Sequence, residues 1–189
     1  VPVRLIETKR FSDARGWFAE AYNRDRFATL GVDVDFVQDN HSMSRTAGVL
    51  RGLHFQRPPH AQAKLVRCVR GAIWDVAVDL RLGSPTFARW VACVLSADNG
   101  LQLFIPVGFA HGFVTLEPDA EVEYKASAYY APECEGGLSW DDPTLDIPWP
   151  LAGNRPNLSD KDRGLPTLAE FASPFVYDGR PLTPLDDAP

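Results

Sequence analysis

Few side chains in this sequence can move protons near neutral pH. Histidine occurs four times, as His41, His54, His60 and His111, and it is the usual general base because it titrates near neutrality. Lysine is equally scarce. Among 19 basic residues only Lys9, Lys64, Lys125 and Lys161 are lysines; the rest are arginines. A lysine ammonium stabilises an enolate oxygen, and the phenol of a tyrosine such as Tyr124 donates a proton. Side chains two apart on a strand share a face, so His54, Lys64 and Tyr124 are expected to point inward from three neighbouring strands. With His111 in the same interior, this set suits proton transfer. Any one of these residues alone reads more readily as structural: a lone histidine as a hydrogen-bonded core residue, a lone tyrosine as core with its hydroxyl satisfied. Only their co-occurrence favours chemistry.

The scaffold that must gather them is legible as alternation. Trp74, Val76, Val78 and Leu80 share one face, with Asp75 and Asp79 on the other, and Leu101, Leu103 and Ile105 repeat the pattern. Val122, Tyr124, Ala126 and Ala128 oppose Glu121, Glu123 and Lys125. The segments 64–70, 73–81, 87–95, 101–105, 111–117 and 120–129 therefore read as strands, separated by turns such as Asn99-Gly100 and Pro106-Val-Gly108. Short strands at regular spacing imply an antiparallel sandwich or barrel. Fourteen glycines and sixteen prolines in 189 residues supply the corners. Helix signals are few: Asn23 to Leu30, capped by Asn23 and ended by Gly31, and a turn or two each in 159–163 and 167–172.

The length fits one domain, taken as 1–172, followed by a loose, extended, proline-rich tail over 173–189. A net charge of −6 argues against nucleic acid or an anionic membrane as partner. No apolar run approaches the ~20 residues of a membrane span, and the opening residues do not read as a signal peptide. Cys68, Cys93 and Cys134 are odd in number and lack metal-ligand spacing, which reads as reduced thiols in a cytoplasmic protein.

Pro106-Val-Gly108-Phe-Ala-His111 matches the P-x-G-x-x-H half of the cupin signature, a mainly β double-stranded β-helix or jelly-roll barrel, here with a few short helices. Metal-binding cupins add His-x-His and a Glu from an earlier strand. That strand here is Gly52-Leu-His54-Phe-Gln56, with Gln56 in place of the second histidine and Lys64 as the next ionisable inward residue. An ammonium repels a divalent cation, and two histidines alone hold a metal poorly. No metal and no cofactor are expected. A metal-dependent cupin oxygenase is disfavoured on these grounds. A non-catalytic ligand-binding jelly roll is disfavoured because binding alone needs no acid and base.

Across residues 3–163 the chain resembles the dTDP-4-dehydrorhamnose 3,5-epimerase family of cupin-fold enzymes. The resemblance rests on several segments taken in order. They include Asp13-Ala-Arg15-Gly-Trp-Phe-Ala-Glu20, Phe36-Val-Gln38-Asp-Asn40-His-Ser42 and Leu50-Arg51-Gly-Leu-His54-Phe-Gln56. Gln62-Ala-Lys64-Leu-Val-Arg67, Asp75-Val-Ala-Val-Asp79-Leu-Arg81 and Ile105 to Phe113 follow. Tyr124-Lys125, Tyr129 to Glu133, Trp140 to Pro143 and Leu158 to Asp162 complete the series. Each segment is weak alone; together, in this order and spacing, they are highly specific. The resemblance implies a substrate, dTDP-4-keto-6-deoxyhexose, whose C4 ketone acidifies the C3 and C5 protons. It implies His54 as the base and Asp162 as the carboxylate that orients its ring. Lys64 would stand near the C4 oxygen, and Tyr124 would return a proton from the opposite face. The implied outcome is inversion of C3 and C5; a single-site epimerase, acting at C3 or C5 only, is the alternative.

The same resemblance implies that Arg15, Arg51 and Lys161 meet the diphosphate and nearby oxygens. It makes Glu20, Gln38, Asn40, His111 and Glu135 polar positions of the substrate site. Tyr130 and Trp140, with Trp17 or Phe18, become candidates to stack on thymine. A homodimer is implied, because in the family the N-terminal strands complete the partner's site. Two points of register stay open in the sequence. Arg51 and His54 are three apart, which strict alternation assigns to opposite faces unless Gly52 hosts a bulge. Asp160 also competes with Asp162 as the partner of His54. His60 reads as surface and His41 as an edge residue.

Overall fold

The computed structural model describes residues 2–185. The strands are β1 (Arg4–Glu7), β2 (Arg10–Asp13), β3 (Gly16–Ala19), β4 (Gln38–Ser44), β5 (Leu50–Gln56) and β6 (Lys64–Arg70). They continue with β7 (Ala72–Asp79), β8 (Trp90–Ser96), β9 (Leu101–Ile105), β10 (Phe109–Thr115), β11 (Ala120–Ala126) and β12 (Glu135–Gly137). Two five-stranded antiparallel sheets face each other, ordered β1-β9-β6-β11-β4 and β12-β5-β10-β7-β8, while β2 and β3 form a separate hairpin. The architecture is mainly β and cupin-type, as the alternation and the P-x-G-x-x-H segment imply. Among the described residues, no helix is long and apolar enough to cross a membrane.

The inner faces of the two sheets close on Val66, Ile73, Ala77, Leu95, Leu103, Phe109 and Val122. The outer face of the β5-containing sheet is apolar as well. Leu53, Val76, Val78 and Leu80 are covered there by Leu138, Leu145, Trp149 and Phe175 from the chain after β11. That sheet is buried on both sides, which explains the dense apolar run through 72–80. The other sheet is covered over part of its outer face by α1 (Arg24–Thr29), whose Phe27 packs on Leu65 and Phe104. The Asn23 side chain accepts from Arg26 N at 3.1 Å, the cap that starts this helix. Gly31 follows with φ +83, a left-handed conformation that glycine adopts freely.

Four expectations need adjustment. The strand expected over 87–95 begins at Trp90, because residues 84–89 are taken up by turns with Ala88 at φ +62. The strand expected over 111–117 begins at Phe109, directly after the Gly108 turn. Most consequential, His54, Lys64 and Tyr124 do not lie on three neighbouring strands. β6 and β11 are neighbours in one sheet, but β5 belongs to the other. Residues 173–185 run extended along the barrel and are not loose: Phe175 and Leu182 are buried, and the buried Arg81 bonds Asp178 at 2.7 Å. The end of the tail, 186–189, lies outside the described residues.

The register question at Gly52 resolves as a bulge. His111 pairs with His54, and Phe113 with Arg51, so β5 spends one extra residue between these pairs. Gly52 has φ +135, and a β-carbon there would lie 2.5 Å from Gly112 Cα and 2.9 Å from the His111 carbonyl oxygen. Both obstacles are backbone and cannot swing aside. The bulge brings Arg51 and His54 to the lining of one cavity. Gly52→Ala is therefore expected to destabilise the fold by at least about 2 kcal/mol. A denaturant midpoint unchanged from wild type would contradict that packing.

Candidate active site

A cavity of about 500 Å³ opens between the sheets, lined by His54, Lys64, His111, Tyr124, Asp162, Arg51 and Lys161 among others. The volume is in the range usual for small-ligand sites. His54 and His111 come from adjacent strands of one wall, directly cross-strand from each other. Lys64 and Tyr124 come from adjacent strands of the other wall, and the Lys64 Nζ lies 5.6 Å from the centre of the Tyr124 ring. His54 and Tyr124 thus line the cavity from opposite walls.

Asp162 reaches the cavity on α2 (Asp160–Arg163), a single turn started by Ser159, whose hydroxyl oxygen accepts from Asp162 N at 3.1 Å. Its Oδ1 lies 2.6 Å from His54 Nε2. Asp160 is exposed and pairs instead with Arg163 at 2.5 Å, so Asp162 is the carboxylate partner of the histidine. Burial opposes the charge of Asp162 most strongly, yet the contact with His54 and the hydrogen bonds from Ser159 and the Gly52 backbone together outweigh it and hold the carboxyl below its usual range. An ionised carboxylate only accepts. His54 Nε2 therefore carries the hydrogen of this contact, and in the neutral ring that arrangement leaves Nδ1 with the lone pair a base requires.

Burial disfavours the charged form of the other groups as well, and there it prevails. It pulls the Lys64 ammonium down to about 8, with the negative charges of Asp75 and Glu135 opposing the shift. It raises the Tyr124 phenol, which keeps that hydroxyl a proton donor at neutral pH. It lowers His111, whose Nε2 lies 2.6 Å from the fully buried Asp75. Gln56 is buried with its amide fully engaged: Nε2 donates to the His60 carbonyl at 2.6 Å and Oε1 accepts from Ala131 N at 2.8 Å. It braces two loops.

The rim is polar. Lys161 pairs with Glu135, which also accepts from the Tyr130 hydroxyl at 3.1 Å. The Tyr130 amide donates to Gln38 Oε1 at 2.9 Å, and Gln38 Nε2 donates to Asn40 Oδ1 at 3.0 Å. Gln38, Asn40, Tyr130, Glu135 and Lys161 thus form one connected chain. Arg51 stays at the edge, its guanidinium 3.3 Å from Ser44 Oγ.

Three expected site residues do not join this group. Arg15 is 90% exposed on the β2–β3 hairpin and pairs with Asp13 at 2.6 Å. Glu20 faces Arg26 and Asn23. Trp140 packs into the outer apolar layer, where its carbonyl accepts from Trp149 Nε1 at 2.8 Å, and it does not line the cavity. His41 alternates to the outer face of its sheet and lies 3.0 Å from Glu121 Oε2, away from the barrel interior. His60 is exposed. Sequence reading gave Asp75 no role. Its signal was present, since alternation places Asp75 on the face opposite Trp74 and Val76. That this face is the barrel interior required the fold.

Comparison with known proteins finds relatives along most of the chain. The family model for dTDP-4-dehydrorhamnose 3,5-epimerase matches residues 2–170. A curated relative of that name from Sinorhizobium fredii is 50% identical over 175 residues, covering 93% of this chain and 89% of its own length. A crystal structure of dTDP-4-dehydrorhamnose 3,5-epimerase from Bacillus anthracis, with TDP and PPi bound, is 53% identical with a TM-score of 0.85, covering 88% of this chain and 94% of that one. A dTDP-6-deoxy-D-glucose-3,5-epimerase from Legionella pneumophila, in complex with dTDP-4-keto-L-rhamnose, is 45% identical with a TM-score of 0.88, covering 93% and 94%.

Proposed function

The chain belongs to the dTDP-4-dehydrorhamnose 3,5-epimerase family, and from that premise we propose how its own residues invert C3 and C5 of dTDP-4-dehydro-6-deoxy-D-glucose to give dTDP-4-dehydro-L-rhamnose. It is an isomerase. The observation that carries the residue assignment is the His54–Asp162 pair facing Tyr124 and Lys64 across one cavity.

The C4 ketone of the substrate acts as the electron sink, so the reaction needs no cofactor. His54 Nδ1 takes the proton from C3 or C5, and Asp162 stabilises the imidazolium that forms. The Lys64 ammonium meets the enolate oxygen as charge develops there, a contribution of about 10²–10³-fold for a well-placed donor. Tyr124 returns a proton from the other wall. Removal from one face and return on the other inverts the carbon. Arg51 and Lys161 at the rim suit the diphosphate, Arg51 through its bidentate geometry, and the exposed Tyr130 offers a ring for the base.

The working assembly is a homodimer. Arg15 and Glu20 have no contact with the cavity of their own chain, and the hairpin carrying Arg15 exposes Phe11, Trp17 and Phe18 by 53%, 59% and 69%. An apolar hairpin of this kind suits burial against a second copy, whose site Arg15 and Glu20 would complete. We assign the protein to the cytoplasm, where thiols such as the free Cys68, Cys93 and Cys134 stay reduced.

Proton exchange tests the reaction. In deuterated water the enzyme should place deuterium at both C3 and C5 of dTDP-4-dehydro-6-deoxy-D-glucose, read by NMR. Exchange confined to one carbon would mean that only one centre is inverted.

A further inference from the structure

Two glutamines, one from each sheet, close on the same stretch of backbone beside the cavity. Gln38 opens β4 and Gln56 ends β5. Gln56 Oε1 accepts from Ala131 N at 2.8 Å, and its Nε2 donates to the Tyr129 carbonyl at 3.2 Å and to the His60 carbonyl at 2.6 Å. Gln38 Oε1 accepts from Tyr130 N at 2.9 Å. The backbone on both sides of Tyr130 is thus held, yet the residue itself is 56% exposed. Its hydroxyl donates to Glu135, which stands directly cross-strand from Gln56 and pairs with Lys161 of the cavity lining.

The chemistry of Gln56 suits a clamp. The residue is 4% exposed and is not part of the cavity lining. A buried amide is costly unless its hydrogen bonds are made. Here both N–H donors and the carbonyl oxygen are used, and every partner is a backbone group of a loop. Loops are mobile by default, and a group that is ordered only on binding costs affinity. A ring that receives a base from an exposed loop therefore gains from a backbone fixed beforehand.

We propose that Gln56 is a positioning residue for nucleotide binding: by fixing the Tyr129 and Ala131 peptides it sets the Tyr130 ring at the rim before the ligand arrives. The inference rests on the reading of Tyr130 as the ring offered to the base. Gln56 does not line the cavity, so it acts on the ligand only through this loop.

Gln56→Met tests this, because it keeps length and bulk and removes all three hydrogen bonds. The dissociation constant for dTDP and the KM should rise by about five- to tenfold, with kcat within about twofold of wild type. Affinity for inorganic pyrophosphate should stay within about twofold, since Arg51 and Lys161 lie outside the clamped loop. Tyr130→Ala should itself weaken dTDP by about tenfold. Adding Gln56→Met to it should cost less than about twofold more, because the ring it acts through is gone. Unaltered dTDP affinity in Gln56→Met overturns the inference. So does an equal loss for dTDP and pyrophosphate, or a full further loss in the Tyr130→Ala background; either makes Gln56 merely structural. Tyr130→Ala separates the two levels. Wild-type affinity in that variant removes the stacking assignment and the inference with it; weakened dTDP there with unaltered affinity in Gln56→Met removes only the present inference. If Gln56→Met does not fold, amide exchange in the wild-type protein takes its place. Tyr130 N and Ala131 N donate to glutamine side chains and not to backbone carbonyls, so the clamp should slow their exchange by about a hundredfold or more. Exchange at the rate of an open loop overturns the inference.

Discussion

His54→Ala is expected to lower turnover by about 10³–10⁴-fold, the upper part of the range for a general base, while leaving dTDP affinity within a few-fold of wild type. The separation follows from where the side chain stands. His54 lines the part of the cavity shared with Lys64 and Tyr124, whereas the groups suited to the diphosphate, Arg51 and Lys161, belong to the rim. In the proposed reaction His54 acts at two carbons, so its loss should be felt at both. Deleting the ring also takes a hydrogen-bond donor from Asp162, which is 3% exposed. Some destabilisation, of about 1–3 kcal/mol, should accompany the kinetic loss. His54→Asn restores a hydrogen-bond donor for Asp162 without a base, and it should recover stability but not rate. Turnover in either variant within tenfold of wild type would remove His54 from the assigned role.

Tyr124→Phe should separate the two halves of each inversion. Product formation is expected to fall by about 10²–10³-fold, in the range for a single general acid. Exchange of substrate C–H with deuterated water should persist, because His54, Asp162 and Lys64 are untouched. The ring remains, so the packing of Tyr124 against Lys64 and the apolar interior is kept and little stability is lost. The recovered substrate should carry deuterium with its original configuration, since the proton can return only from the side that removed it. Epimerised product at the wild-type rate would show that another group supplies the proton.

How much of this was readable beforehand differs from residue to residue. The strands over 64–70 and 101–105 have the predicted bounds because apolar residues alternate through them and a turn glycine, Gly71 or Gly100, adjoins one end of each. β4 escaped detection: Gln-Asp-Asn-His-Ser-Met-Ser carries no apolar alternation, because one of its faces lines a polar cavity. β5 was obscured by its bulge, which breaks the period of two at Gly52. His54, Lys64, Tyr124 and Asp162 were found because their types are rare or their motif spacing is specific. They do meet in one cavity. Arg15, Glu20 and Trp140 came from the same kind of motif and do not meet it within one chain.

Sequence alone determined the class of fold and pointed to the kind of chemistry, since both depend on local quantities: the period of the apolar pattern, the turn residues, and the presence of residue types able to serve as base, acid and cation. It did not determine which sheet each strand joins, that Asp162 rather than Asp160 meets His54, or that Asp75 faces inward. Those depend on contacts between segments as far apart as β5 and α2, and on a bulge that shifts side chains between faces. Two-residue alternation says which side chains share a face, but only the closing of two sheets on one another decides which face is inside.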